Sequence, residues 1–477
     1  MQRSKLVSGI FFLCLSLQVH AQNDSSKTYS LKRCVETALA NNLDVRQAGL
    51  SVQTNETIWK QSRLEMLPNL NGSASHGINQ GRSIDPFTNG YSTERIDAGS
   101  YNLSSQVVLF NGLYIQNTIK KNALDYEAAK MSWQQQKDNI TIDVMVTYLT
   151  VMTNEDLLVQ GQKQVDLTQQ QVLRLDLLNK NGSIKPSDLS DLKGHLADDQ
   201  ISLIGTRNAL EAAKLDLCGI MNIPYDREMK LERFDTTGFA VTYPDVPVDI
   251  YNKALTSFAH IRYTELKTKS AEKAVKAARG QLFPTLSLNG NANTNYSSAA
   301  TKNIFVNTTT VSTNDFVVVN STPTAVMHPQ DNYRQDKIGY TSQLNNNVYT
   351  NISLNLRIPI FNALQARTRI KLAKIDAKNS ALQEKTAKTQ LQQSVERSYL
   401  NMATALDKYK TLLDQVNSYQ ESFRAAEIRF NEGVGNSIDY LTARNNFDRV
   451  TNNLIIAKYE YIVRTKVLDY YEGKQSW

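Results

Sequence analysis

An internal repeat constrains the fold of this chain more than any other feature of its sequence. The 33 residues from Ala38 to Leu70 match the 33 residues from Ala254 to Leu286 in pattern, at an offset of 216 positions. Both segments begin with Ala-Leu and end with a proline two residues before a leucine. Each segment is predicted to form a helix of about 30 residues that ends near its proline.

The repeat continues beyond these segments at a larger offset. VVLFNGL at 107–113 resembles IPIFNAL at 358–364, and the offset is now 251 positions. The second copy therefore carries an insertion of 35 residues between its proline and its Phe-Asn pair. We predict repeats at about 30–222 and 248–472, joined by a proline-punctuated linker at about 221–249.

Each repeat contains two long runs in which apolar residues recur every seven positions. Such sustained heptads are typical of helices packed as coiled coils. A glycine-containing corner separates the two runs, so each pair is predicted to form an antiparallel helical hairpin. In chain order, the heptad positions are Val144, Val151, Leu158, Val165 and Val172, then Leu189, Leu196, Leu203, Leu210 and Leu217, then Val395, Met402, Tyr409, Val416, Phe423 and Phe430, then Tyr440, Phe447, Leu454, Tyr461 and Leu468.

The two corners read NKNGSIKPSDL and FNEGVGNSIDYL. Gly182 and Gly433 are predicted to adopt the left-handed turn that ends the first helix of each hairpin. Asp188 and Asp439 fall in the first turn of the returning helix, where a carboxylate stabilises the helix dipole by about 0.3–1 kcal/mol. This stabilising role would account for both acids without any further function.

The first 21 residues have the pattern of a secretory signal. Arg3 and Lys5 precede an apolar stretch too short to cross a bilayer, and cleavage is expected after Ala21. Cleavage removes these two of the 53 basic residues. The mature chain then has 51 basic and 46 acidic residues, which gives a formal net charge of +5. This mild charge, with no basic and aromatic cluster, argues against nucleic acid as a partner.

Four segments show the alternation expected of β-strands, near 70–80, 100–110, 286–296 and 347–361. In an exported chain, strands with one apolar and one polar face are typical of a membrane β-barrel, and a soluble sheet packed on a helix is the alternative. Four strands cannot close a barrel, so several subunits would have to share it. The polar region 295–346, around the insertion, is predicted to be a loop between two of these strands.

The sequence contains no catalytic or metal-binding pattern. None of the five histidines pairs with another at the spacing of metal ligands. An HExxH motif and a phosphate-binding glycine loop are also missing. We therefore predict no enzyme and no cofactor or metal. Cys34 and Cys218 could stay separate thiols or form a disulfide in an oxidising compartment.

The order and spacing of these features resemble the TolC-like outer membrane efflux protein family. The residues that carry the resemblance are Pro68 and Pro284, the Phe-Asn pairs before the long helices, and the two corners. The resemblance covers about residues 30–472 and implies a mainly α fold with a membrane β-barrel. It implies a homotrimer whose twelve-stranded barrel lies in the outer membrane of a Gram-negative cell, with an α-helical barrel extending into the periplasm.

The resemblance also implies a function. The chain, one channel domain over 22–477, would be a passive exit duct of a tripartite efflux pump or a type I secretion system. Its partners would be outer membrane lipid and a periplasmic adaptor attached to an inner-membrane pump. Drug, metal and protein substrates remain open, and the alternative is a periplasmic coiled-coil scaffold or adaptor without a pore.

In the family, the second corner carries the acids that ring the closed channel entrance. Asp439 matches the first of these acids, and Thr442 stands at the next ring position. Phe430 and Gly435 occupy the positions of a closing Tyr and Arg, and Asp188 matches the acid that partners the Tyr. The contacts that close the entrance must therefore differ in this chain. The adaptor-contacting tips would be Gly182, Ser183, Ile184, Gly433, Val434 and Gly435.

Overall fold

The computed structural model describes residues 28–84, 89–93, 95–233 and 243–474. These residues form two compact units. The first unit contains the described residues up to 48, from 134 to 258 and from 390 onward, and the second contains those from 49 to 133 and from 259 to 389. The signal sequence predicted at 1–21 and part of the predicted linker lie outside the described residues.

Long helices make up most of the described chain. In order, they are α1 (Leu31–Asn41), α2 (Leu43–Leu64), α3 (Tyr114–Lys180), α4 (Pro186–Met221), α5 (Pro247–Ser257), α6 (Ala259–Gly280), α7 (Tyr340–Asn346), α8 (Gln365–Asn431) and α9 (Ser437–Tyr471). α3 and α8 each contain 67 residues, and α8 begins and ends 251 positions after α3. Among the described helices, none combines the length and the apolar character needed to cross a lipid bilayer.

Within the first unit, which contains most of α3 and α8 and all of α4 and α9, the helices of each hairpin pack against each other. Gly161 on α3 lies beside Leu203 on α4, and Phe423 on α8 stacks on Phe447 on α9 with ring centroids 5.7 Å apart. Every heptad position given above is buried or half-buried. The prediction that these positions form the packed faces of the hairpin helices is therefore confirmed.

Each repeat begins with two helices where the sequence predicts one. α1 and α2 are separated at Asn42, whose Oδ1 accepts a hydrogen bond from the Asp44 amide at 2.9 Å. α5 and α6 are separated 216 positions later at Phe258, which has an extended backbone. The prediction of one continuous helix was wrong. At Asn42, the side chain binds a backbone N–H at the start of α2 and so caps a new helix, in place of the backbone hydrogen bonds that would continue α1.

The strands, in chain order, are β1 (Thr28–Tyr29), β2 (Asn69–Asn79), β3 (Ser83–Ile84), β4 (Tyr91–Ser92), β5 (Ile96–Phe110), β6 (Lys230–Leu231), β7 (Thr285–Ser297), β8 (Thr301–Val319), β9 (Thr322–Lys337) and β10 (Tyr349–Arg357). In the second unit, one antiparallel sheet has the order β10-β7-β5-β2. Its strands occupy the four segments in which the sequence predicts them. β10 ends at Arg357 instead of 361, because Pro359 has no N–H to continue the ladder.

The insertion forms a long hairpin, so the prediction of a loop at 295–346 was wrong. β8 and β9 pair as a two-stranded antiparallel sheet. Asn320 and Ser321 between them have φ angles of 55° and 66°, as a two-residue type I′ turn requires. The many threonines and valines of this segment favour extended backbone, which explains why strands form here.

Both cysteines of the described chain are buried and carry free thiols. Burial raises the pKa of the Cys34 thiol to about 12. Of the two alternatives left open by the sequence, the structure therefore corresponds to separate thiols, and the raised pKa keeps the Cys34 thiol in its unreactive protonated form.

Candidate functional site

The two corners of the first unit end their first helices as predicted. Gly182 and Gly433 have φ angles of +69° and +76°, in the left-handed region. The amides of Gly182 and Ser183 donate to the carbonyls of Asn179 and Leu178 at 3.0 and 2.9 Å. This pair of hydrogen bonds is the Schellman arrangement, which ends a helix and reverses the chain.

The two acids behind the corners have different surroundings. Asp188 is half-buried, and its Oδ1 accepts a hydrogen bond from the Ser437 hydroxyl at 2.9 Å. Asp439 is exposed, and its backbone N–H donates to the side chain of Asn436, which caps α9. Thr442, about one turn further along α9, is exposed as well. The structure thus joins Asp188 to the second hairpin and orients Asp439 towards solvent.

Phe430 and Gly435 contribute packing in place of polar contacts. The Phe430 ring stacks on Tyr440 with centroids 4.8 Å apart. Tyr440 belongs to a buried cluster that also contains Val172 and Leu189 from the first hairpin. A Cβ on Gly435 would lie only 3.1 Å from the Phe430 amide nitrogen, which leaves little room for a side chain there.

The tips themselves are mostly open to solvent. Gly182, Ser183 and Gly433 are exposed, and the Val434 side chain is 78% exposed. Ile184 is half-buried and packs against the cluster around Tyr440. The exposed tip surface therefore combines small, polar and apolar groups.

The sheet of the second unit has two faces of opposite chemistry. Directly paired residues of an antiparallel ladder share a face, and side chains alternate between the two faces along each strand. The register therefore assigns every residue of β2, β5, β7 and β10 to one face. The apolar face carries Leu70, Ile78, Tyr101, Leu103, Val107, Leu286, Leu288, Ile352, Leu354 and Leu356.

These apolar side chains are unusually exposed. Ile352 is 82%, Leu70 is 70% and Leu354 is 63% exposed. Leaving such a surface in water would be unfavourable by about 25 cal/mol for each Å². The face therefore requires an apolar environment outside this chain, such as the interior of a lipid bilayer.

The opposite face is polar and rich in amides and hydroxyls. It carries Asn69, Asn71, Ser73, Ser75, Asn102, Ser104, Gln106, Ser287, Asn289, Asn291, Asn293, Asn295, Asn351, Ser353, Asn355 and Arg357. This alternation, apolar on one side and hydrogen-bonding on the other, is the pattern of a strand between lipid and water.

Aromatic and apolar side chains accumulate at both ends of the sheet. At the loop end, Tyr296 and Tyr340 have ring centroids 4.8 Å apart, and the hydroxyls of Tyr101 and Tyr340 are 2.6 Å apart. At the end that leads into the helices, Phe361 is 80% and Phe283 is 54% exposed. Aromatic rings at two levels are typical of the two interfaces of a membrane.

Both repeats match one known protein family. The sequence profile described as outer membrane efflux protein matches residues 34–222 and 250–469. The chain belongs to the outer membrane efflux protein family. TolC of Salmonella enteritidis is 19% identical to it over 479 residues, which cover 99% of this chain and 87% of TolC.

Solved structures share the fold of this channel at low sequence identity. VceC of Vibrio cholerae has a TM-score of 0.72 at 13% identity and covers 93% of this chain and 96% of its own. CmeC of Campylobacter jejuni, an outer membrane channel, has a TM-score of 0.70 at 16% identity and covers 93% of this chain and 86% of its own. Family membership confirms the prediction of an efflux channel in the outer membrane. It does not support the alternative prediction of a periplasmic scaffold without a pore.

In the channel, a buried arginine that was not among the residues predicted from the sequence joins the two hairpins. Arg444 on α9 is 1% exposed, and its guanidinium lies 3.0 Å from Asp199 on α4. It also lies 3.3 Å from Asp448 and donates to the Gln164 carbonyl on α3 at 2.9 Å. Thr168 completes the network with a hydrogen bond to Asp199. These contacts hold the second hairpin against both helices of the first.

Ser437 forms a second link between the hairpins. It is 3% exposed, and its hydroxyl lies 2.9 Å from Asp188 and 3.2 Å from Asp191.

The sequence does contain a signal for Arg444. This residue lies on the same helical face as Tyr440 and Phe447, where apolar residues are expected, and it is charged. No local signal distinguishes Ser437, because its partners are 246 and 249 positions away.

Proposed function

We propose that three copies of this chain form a duct through the outer membrane, used by an efflux pump or a type I secretion machine to expel substrates. The mature chain, from residue 22 onward, would be a single channel domain built from both repeats. The observation that carries this proposal is the four-stranded sheet, with its two free edges and its faces of opposite chemistry.

The edges of the sheet are suited to pairing between copies. β10 and β2 are the two edge strands, and they run in opposite directions. β10 of one copy can therefore pair with β2 of the next in the antiparallel manner used within the sheet. Repeated pairing closes the barrel and removes the exposed edges. Two copies would supply about eight strands and an interior filled by side chains, whereas three would supply about twelve and leave a lumen.

The hairpin corners would form the entrance to the duct in the periplasm. Three exposed Asp439 carboxylates around a three-fold axis would make a ring that attracts cations. The contacts of Ser437 and Arg444 would favour the closed entrance, because they hold the second hairpin in place. A periplasmic adaptor would bind the exposed tips, including Ser183 and Val434, and connect the duct to an inner-membrane pump.

Electron microscopy of the mature protein in detergent tests this proposal. We expect a three-fold particle with a short barrel and a hollow helical stem of about 100 Å, the length of a helix of this size. The protein should require detergent, because the apolar face of the sheet is exposed in a single chain. Solid rods, or monomers that remain soluble without detergent, would contradict the duct and support the scaffold alternative.

Neutralising Asp439 tests the entrance. We expect Asp439→Asn to weaken the block of channel conductance by divalent cations roughly tenfold, because the ring loses its negative charge. Single-channel recordings with increasing magnesium concentration would measure this. Asp216→Asn is the matched control, since Asp216 is also exposed but lies near the far end of α4. Equal block in the Asp439 variant and the unmodified channel would disprove the acidic ring.

A further inference from the structure

One charged residue stands on the polar face of the four-stranded sheet. Within the described strands β2, β5, β7 and β10, every other side chain that the register assigns to this face is uncharged. Most of them are asparagines and serines, whose amides and hydroxyls bind cations and anions alike. The exception is Arg357, so this residue alone gives the face a net charge.

Arg357 lies at one end of the sheet. It is the last residue of β10 and pairs with Thr285, the first residue of β7. Its side chain shares the face of Ser353 and Asn355 by the alternation of the strand, and it is exposed. No ion pair within 4.0 Å involves this guanidinium in the part of the chain that the structure describes.

We propose that Arg357 determines the charge selectivity of the sheet-lined part of the duct and makes it favourable for small organic anions. This inference rests on the proposed trimeric duct, in which the polar face lines the lumen. Three guanidinium groups would then form a ring where the strands meet the helices. A ring of fixed charges sets ion preference in a pore, and arginine binds carboxylates, phosphates and sulfonates through two parallel N–H groups.

One further property follows from the place of this ring in the duct. The lumen of a twelve-stranded barrel is wide, and charges on its wall are screened over about 10 Å at 0.1 M salt and about 30 Å at 0.01 M. The preference should therefore become stronger as the salt concentration falls.

The test is a reversal-potential measurement on the purified channel in a planar bilayer under a potassium chloride gradient. Arg357→Gln should lower the chloride-to-potassium permeability ratio about two- to fivefold near 0.1 M salt, and Arg357→Lys should retain most of it. The same comparison in an Asp439→Asn background removes the influence of the acidic entrance. A gradient of potassium glutamate tests a carboxylate directly.

The matched control is Arg369→Gln. Arg369 is also exposed and hydrogen-bonds Gln281 at 3.0 Å, but it lies on α8 and not on the polar face of the sheet. Its replacement should leave the permeability ratio unchanged. Arg357 is excluded as the selecting residue if Arg357→Gln conducts normally with an unaltered ratio in both backgrounds. Absence of any conducting three-fold pore, in contrast, would overturn the proposed duct itself.

Discussion

Replacing Arg444 with alanine is expected to destabilise the channel by about 3–5 kcal/mol, because it leaves two carboxylates of a buried network without their counter-charge. Arg444 is 1% exposed, and the side chains of Asp199 and Asp448 are only 17% and 20% exposed. The loss should reduce the midpoint of unfolding in detergent, followed by circular dichroism during urea titration.

Arg449→Ala provides the control for this substitution. Arg449 lies on the same helix but is exposed and hydrogen-bonds Asn446 at 3.2 Å. Its removal should change the free energy of unfolding by less than about 0.5 kcal/mol. Similar losses for the two variants would mean that the buried network around Arg444 contributes no special stability.

The pH dependence of the Arg444 variant gives a second readout. Burial raises the pKa of Asp448 above its ordinary value, and the attraction of Arg444 opposes this rise. The folded protein therefore binds this proton more tightly than the unfolded chain, so stability falls as pH rises from the unfolded to the folded pKa of Asp448. Without Arg444 the folded pKa rises further. As pH rises above the ordinary pKa of an aspartate, the variant should therefore lose more stability than the unmodified protein.

A second large effect is expected from Gly112→Ala. Gly112 has a φ angle of +65°, and a Cβ there would overlap the Gly280 carbonyl oxygen and lie 2.7 Å from the Phe283 Cβ. A left-handed alanine costs about 1–2 kcal/mol, and moving the packed backbone costs about 1–3 kcal/mol more. We expect a lower unfolding midpoint and a smaller yield of assembled channel, measured by size-exclusion chromatography in detergent.

The second repeat supplies the control for this position. Ala363 corresponds to Gly112 at the offset of 251 and has a φ angle of +48°. Ala363→Gly relieves backbone strain and should leave stability unchanged or raise it by up to about 1 kcal/mol. If Gly112→Ala assembles as well as the unmodified channel, the close contact between the start of α3 and the end of α6 is not essential for assembly.

Several parts of the fold could be predicted because their causes are local. The seven-residue spacing defines the inner face of each hairpin helix, and Gly182 and Gly433 adopt the φ angles that a helix end favours. The alternation along residues 349–357 likewise defines the two faces of β10. In each case the physical cause lies within a few neighbouring residues, so it can be read without knowledge of distant contacts.

Other parts could not be predicted, because several conformations satisfy the same local pattern. Threonine and valine at 301–319 allow a strand or a loop, and the type I′ turn at Asn320 and Ser321 lacks the usual glycine. The helix break at Asn42 depends on its side chain capping α2, where a continuous helix would also fit the apolar spacing. Local propensity alone does not choose between such alternatives.

The sequence by itself determined the repeat, the paired helices and the strands with one apolar and one polar face, because periodicity follows directly from backbone geometry. Only the tertiary structure decided which side chains meet across the hairpins. Arg444 reaches Asp199 across 245 positions, and Ser437 reaches Asp188 across 249. Likewise, only the strand register brought the amides and hydroxyls onto one surface with Arg357, since pairing between distant strands depends on the whole sheet.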